Sequence, residues 1–140
     1  MSFKPYEHKV QYYETDTMKI VHHSNYVRWM EEARVDLLEQ MGLGYDVMEK
    51  SGVLSPVLSV HCEYKSMTRF PERVQITIKL LSYTGVRFSF AYEIRDQQTN
   101  TLRAEGITTH CFTDINGNPL SIRRKYPDWD KIFRENCEKQ

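Results

Sequence analysis

The stretch from Tyr12 to Arg34 reads Y-Y-E-T-D-T-M-K-I-V-H-H-S-N-Y-V-R-W-M-E-E-A-R, and it changes character half way along. Its first half reads as a strand end and a loop carrying Asp16, His22 and His23. Its second half begins a long amphipathic helix. Stepped at about 3.6 residues per turn from Tyr26, Trp29, Met30, Ala33, Leu37 and Met41 fall on one side, with Arg28, Glu31, Glu32 and Glu39 opposite. Leu38 and Val27 widen the apolar stripe, whereas Gln40 intrudes on it and Val35 interrupts the polar face. Ser24 or Asn25 is placed to cap the first turn and Gly42 to end the last. A helix start of this kind leaves backbone N–H groups unpaired beside Asp16, His22 and His23.

Working outward, His8 to Tyr13 is expected to be a first strand, and Gly44 to Ser51 a brief second helix closed by Gly52. The apolar period then changes from helical to two. Leu58, Val60, Cys62 and Tyr64 alternate with polar residues, which predicts a strand with one buried face. Thr68 to Glu72 is a break. Val74, Ile76, Ile78 and Leu80 mark the next strand, and Phe88, Phe90, Tyr92 and Ile94 another after the Tyr83-Thr84-Gly85 turn. Asp96 to Asn100 turns the chain into a long last strand, Thr101 to Asp114, which ends at the Ile115-Asn116-Gly117-Asn118 turn or forms a small terminal hairpin there. Pro127 starts a tail helix carrying Trp129, Ile132, Phe133 and Cys137, expected to dock on the outside. Short links between consecutive strands require antiparallel pairing. The sequence thus predicts an α+β domain spanning residues 1–140, in which an antiparallel sheet of about five strands wraps round one long helix, with a C-terminal helix added.

Composition narrows the function. A chain of 140 residues is long enough to bury one core without staples. Its 19 basic and 19 acidic residues cancel and neither sign is clustered, so nucleic-acid and membrane-surface roles lose their electrostatic drive. The opening M-S-F-K-P-Y-E-H has no signal-peptide run, and no apolar stretch reaches the length of a membrane span; a cytoplasmic location is expected. Cys62, Cys111 and Cys137 are an odd number at wide spacing and read as reduced thiols.

Tyr12-Tyr13-Glu14-Thr15-Asp16, followed by His23, Asn25-Tyr26, Trp29, Glu31 and Ala33-Arg34, resembles the signature of the hotdog-fold acyl-CoA thioesterases, in the branch of hydroxybenzoyl-CoA thioesterase and the YbgC-type enzymes. The resemblance implies a hotdog fold, Asp16 as the catalytic aspartate, His23 as the active-site histidine and Tyr12 as the upstream tyrosine. It also implies a homodimer or homotetramer with the acyl chain between subunits. Lys19 stands where that family usually has glycine, and Met18 where it often has a second.

The chemistry is consistent with these residues. A thioester expels a thiolate whose acid has a pKa of about 8.5, so hydrolysis needs oxyanion donors and a carboxylate but little leaving-group protonation. Backbone N–H groups at the helix start would supply the first. Asp16 would supply the second, as nucleophile through a mixed anhydride or as general base on water. His23 would orient the carbonyl or a water, and Tyr12 would position Asp16 or line the acyl pocket. No G-x-S-x-G is present for a serine triad.

Plainer readings stand beside each of these. A loop aspartate ordinarily caps or turns, and Tyr12, alternating with Val10, reads equally as core. His22 and His23 with Asp16 suggest a metal, but neighbouring side chains at a helix start diverge by about 100° and no third spaced ligand follows. Neither metal nor cofactor is expected. His61 and His110 are explained as strand histidines, and Arg69, Arg73, Arg87, Arg123, Arg124 and Lys125 as solvated surface. Acyl-CoA hydrolysis is the expected activity; a non-catalytic acyl-CoA sensor and a hotdog dehydratase or hydratase are the alternatives.

Overall fold

Helix α1, Ser24–Gln40, buries the stripe its sequence period marks out: Tyr26, Trp29, Met30, Ala33, Leu37 and Leu38 are all buried. Each large apolar side chain so buried contributes about 1.5–3 kcal/mol. The helix ends at Gly42, whose φ of 81° lets Gly42 N–H reach the Glu39 carbonyl and Leu43 N–H that of Leu38. At the other end the expected Ser24 or Asn25 cap is absent. His23 occupies the N-cap with no side-chain cap bond, and Asn25 is buried with its amide turned to the Glu14 carbonyl.

The structure, a computed structural model, describes residues 3–139; Met1, Ser2 and Gln140 of the expected domain lie outside the described residues. Strand β1, Tyr6–Lys9, is followed by a 3-10 turn at Tyr12–Glu14. The strand expected to run to Tyr13 is therefore shorter. Glu14 is drawn inward by Trp29 and His8, which bends the chain and leaves Tyr12 and Tyr13 exposed. After α1 come α2 (Tyr45–Lys50), β2 (Val57–Tyr64), β3 (Arg73–Tyr83), β4 (Arg87–Asp96) and β5 (Leu102–Cys111). The chain closes with α3 (Ile122–Lys125), α4 (Pro127–Asn136) and β6 (Cys137–Lys139).

The sheet order is β1-β3-β4-β5-β2, with β6 pairing β3 in parallel, so the sheet has six strands. The hotdog arrangement of a curved antiparallel sheet round α1 is present, with β6 as its parallel exception. Val74, Ile76, Leu80, Phe88, Phe90, Tyr92 and Ile94 are buried as their alternation requires. At Gly106 of β5 the backbone is closely approached from two sides: a Cβ there would lie 2.7 Å from both Met30 Sδ of α1 and the His61 carbonyl of β2.

Two expectations are corrected. Strand β2 has no covered face, because Leu58, Val60 and Tyr64 are about half exposed and Cys62 only partly buried. Val60, Cys62 and Tyr64 sit opposite Thr108, Gly106 and Ala104, and β2 is an edge strand that α1 reaches only in part, Tyr26 meeting Tyr64 edge-on at 5.2 Å. The tail helix does not merely dock outside. Phe133 is fully buried against Tyr83, Phe88 and Phe112, and the chain beyond it joins the sheet as β6. Cys62 and Cys111 are free thiols. Among the described residues no helix is long and apolar enough to cross a membrane.

Candidate active site

Residues 15–21 form a small hairpin. Thr15 and Val21 pair as an isolated antiparallel bridge, Asp16 N–H donates to the Ile20 carbonyl at 2.9 Å, and Lys19 N–H to the Asp16 carbonyl at 2.9 Å. This is a turn followed by one left-handed residue, Lys19, at φ 64°. The position where the resembling family usually has glycine thus takes the conformation that favours glycine. Val21 then leads within three residues into α1, so Asp16, opposite Ile20, lies on the same hairpin that runs into the helix start.

Asp16 is partly exposed. Its Oδ1 accepts Met18 N–H at 2.8 Å, which fixes the side chain, and its Oδ2 has no hydrogen-bond partner among the described residues. One carboxylate oxygen is therefore held and the other is free to act.

The helix start differs from the expected fan of open amides. Ser24 N–H donates to His22 Nδ1 at 3.2 Å, Asn25 N–H to the His22 carbonyl at 3.0 Å and Tyr26 N–H to the His23 carbonyl at 3.3 Å. Because Ser24 N–H can only donate, Nδ1 of His22 is the acceptor and its neutral ring carries the proton on Nε2. Among the described residues the His23 N–H is left without a protein partner. The His23 ring is exposed, stacks on His22 at 4.2 Å and meets Tyr64 edge-on at 6.2 Å.

A second segment frames the hairpin. Ile20 bridges Arg69, Val21 N–H donates to the Thr68 carbonyl, Tyr26 OH to Thr68 Oγ1 and Tyr64 OH to the His23 carbonyl. Burial, then the neighbouring Cys62, pushes the Tyr64 phenol up to about 12, so it remains a donor. Tyr12, the third sequence candidate, lies on the 3-10 turn with 77 % exposure, edge-on to Phe70 at 5.7 Å. It is neither core nor in contact with Asp16 through its phenol; only its backbone carbonyl engages the loop, at Thr15.

Glu14 was quoted in the sequence motif but given no role. It is buried, and its oxygens accept Gln11 N–H, His8 Nε2–H and Trp29 Nε1–H. Burial works to raise its carboxyl, but these three bonds outweigh that and hold it below the usual carboxylate range. A signal for it existed, since a Trp on the buried face of a helix needs an acceptor for its indole N–H.

His110 is also buried. Its Nε2 meets Thr108, its Nδ1 has no hydrogen-bond partner among the described residues, and burial followed by the charge of Arg34 pushes it down to about 3. Among the described residues no group of three His, Cys, Asp or Glu is arranged to hold a metal. A concavity of about 430 Å³ on the outer face of the sheet is lined by Glu63, Glu93, Glu105, Gly106 and Ile107 among others, not by Asp16, His23 or Tyr12.

An antiparallel sheet wrapped round one long helix defines a hotdog domain. The chain belongs to the Thioesterase-like superfamily, whose family model matches residues 10–136. It is 33% identical over 130 residues to a putative acyl-CoA thioesterase, YneP, of Bacillus subtilis, covering 92% of this chain and 94% of that protein. It is 34% identical over 120 residues to a putative esterase of Aquifex aeolicus, covering 86% and 91%. Among solved structures, the DHNA-CoA thioesterase of Staphylococcus aureus superposes with a TM-score of 0.89 at 31% identity, over 94% of this chain and 89% of that one.

Proposed function

We propose that this protein hydrolyses an acyl-CoA thioester to the free acid and CoA, with Asp16 as nucleophile or general base. The observation that carries the reading is the Asp16 carboxylate, pinned through Oδ1 and open at Oδ2, on the hairpin that runs into a His23 N–H without a partner among the described residues. That N–H, at the positive end of α1, is the donor for the developing oxyanion. Tyr64 holds the His23 peptide from the other side through its carbonyl. The His23 ring, exposed against Tyr64, flanks the acyl group, and Tyr12 with Phe70 forms the outer rim of the same loop.

Family membership and the thioesterase names of relatives above 30% identity support the reaction class. The Staphylococcus aureus relative acts on DHNA-CoA, so hydroxyaryl-CoA esters belong in the test panel beside short and long aliphatic ones. We further propose a twofold homodimer formed along β2, supported by its open backbone edge and its half-exposed Val57, Leu58, Val60 and Tyr64. Free thiols at Cys62 and Cys111 suit a reducing cytoplasm.

The test is thiol release from that panel by wild type and Asp16→Asn. Wild type is expected to release thiol from at least one class, and the variant to lose about 100-fold or more in kcat. Release that survives the substitution removes Asp16 from the chemistry. Binding without release by wild type makes the protein an acyl-CoA sensor.

A further inference from the structure

Glu14 takes no part in bond making above, yet it is the most heavily bonded residue around the hairpin. We propose that Glu14 is the positioning residue of this site, a clamp that sets Asp16 and the His23 N–H in register with α1. What the register serves rests on the thioesterase reading; the clamp itself does not.

Both ends of the residue are engaged. The carboxylate accepts Gln11 N–H at 2.7 Å and His8 Nε2–H at 2.9 Å on Oε1, and Trp29 Nε1–H at 2.8 Å on Oε2. The backbone carbonyl accepts His22 N–H and Asn25 Nδ2–H, each at 2.9 Å. Glu14 therefore joins the end of β1, the returning arm of the hairpin and the first two turns of α1. Asp16 follows it by two residues, and His23 follows its partner His22 by one. Any slack at Glu14 is transmitted to both reacting positions, and small misplacements are costly to catalysis.

The clamp needs an ionised acid. The Gln11 amide and the Trp29 indole can only donate. A glutamine at position 14 turns its NH2 toward one or the other, whichever way its amide is set, so a buried donor faces a donor. Replacing Trp29 by Phe removes one of these conflicts, and the two substitutions together are milder than their separate effects combined.

The experiment compares wild type, Glu14→Gln, Trp29→Phe and the double variant by amide hydrogen exchange, and by steady-state hydrolysis of the acyl-CoA that wild type turns over best. In Glu14→Gln the Asp16, Lys19, Val21 and His22 amides are expected to exchange about tenfold faster or more, while β3, β4 and β5 exchange as in wild type. Its kcat is expected to fall about tenfold or more with KM little changed, and the double variant to lose less than the product of the two single-variant losses. Wild-type exchange at those four amides, faster exchange spread evenly through the sheet, or an unchanged kcat in Glu14→Gln overturns the proposal. If wild type hydrolyses no acyl-CoA, the thioesterase reading falls, and the exchange pattern alone decides the clamp.

Discussion

Lys19 holds a backbone conformation, φ 64°, that L side chains adopt at a cost of about 1–2 kcal/mol, because the turn from Asp16 back to Ile20 admits no other. Glycine there removes the steric cost but adds unfolded-state entropy. Lys19→Gly is therefore expected to leave stability unchanged or raise it by up to about 1 kcal/mol, whereas the β-branched Lys19→Val lowers it; urea denaturation of both variants checks the pair. Buried titratable groups set a second expectation. His110 is neutral in the fold, with its affinity for a proton pushed down to about 3, while the unfolded chain takes one up near 6.5. Its contribution is complete above about 6.5 and is lost progressively as pH falls toward about 3. Glu14 acts in the same direction lower down, since its carboxyl is depressed: its stabilisation is full above the unfolded carboxylate range and disappears as pH drops through the folded value. Unfolding free energy measured from pH 7 to 3 should fall with acid, and His110→Leu should flatten the upper part of that slope.

At the scale of elements, β5 is closely approached at Gly106 by Met30 of α1 and by the β2 backbone. Gly106→Ala places a methyl 2.7 Å from Met30 Sδ and from the His61 carbonyl; the thioether can swing aside but the carbonyl cannot. A loss of about 1–3 kcal/mol is expected, read from the denaturation midpoint, with Met30→Ala failing to restore it because the backbone clash remains. The same helix and strands explain what was legible in the sequence. Tyr26, Trp29, Met30, Ala33 and Leu37 could be read as one face, and β3 and β4 by their alternation, because the cover for each face lies within the same chain. The inner face of β2 was read in the right register, with Val60, Cys62 and Tyr64 on the helix side, but periodicity does not say whose residues will cover it. Glu14 and Asp16 look alike in the motif. Long-range bonds from His8 and Trp29 make the first a buried clamp and leave the second partly exposed with a free oxygen, and local spacing carries no trace of that difference. The 3-10 turn at Tyr12 follows from the same pull on Glu14, so Tyr12 was misplaced with it. β6 was hidden because only Phe133, entering the core beside Phe88, brings the last residues alongside β3.

For the whole molecule, the open side of β2 and the open side of the site are one region. The end of β2 carries Tyr64, whose hydroxyl holds the His23 carbonyl, while Val57 and Ser59 at the other end lie opposite His110 and Thr109 of β5. A twofold axis through an antiparallel β2–β2 pair reverses the second strand, so the Val57 end of the partner lies beside the Tyr64 end of the first copy. Each site would then gain a wall from the other subunit, over the half-exposed Tyr64, Met67 and Phe70. Such a dimer would couple assembly to activity although Asp16 and His23 stay within one chain. Val60→Lys puts a charge on the inner side of that edge, a device by which edge strands avoid pairing. In sedimentation equilibrium wild type is expected at twice the chain mass and the variant at the chain mass. Because Val60 is about half exposed in the single chain, the variant should keep its fold by circular dichroism. It should nevertheless lose most acyl-CoA hydrolysis, chiefly through KM, because the wall that covers the acyl group is gone while the carboxylate and the His23 N–H remain. A Val60→Lys protein that sediments as a dimer removes β2 as the seam; one that is monomeric and fully active shows that each chain carries a complete site.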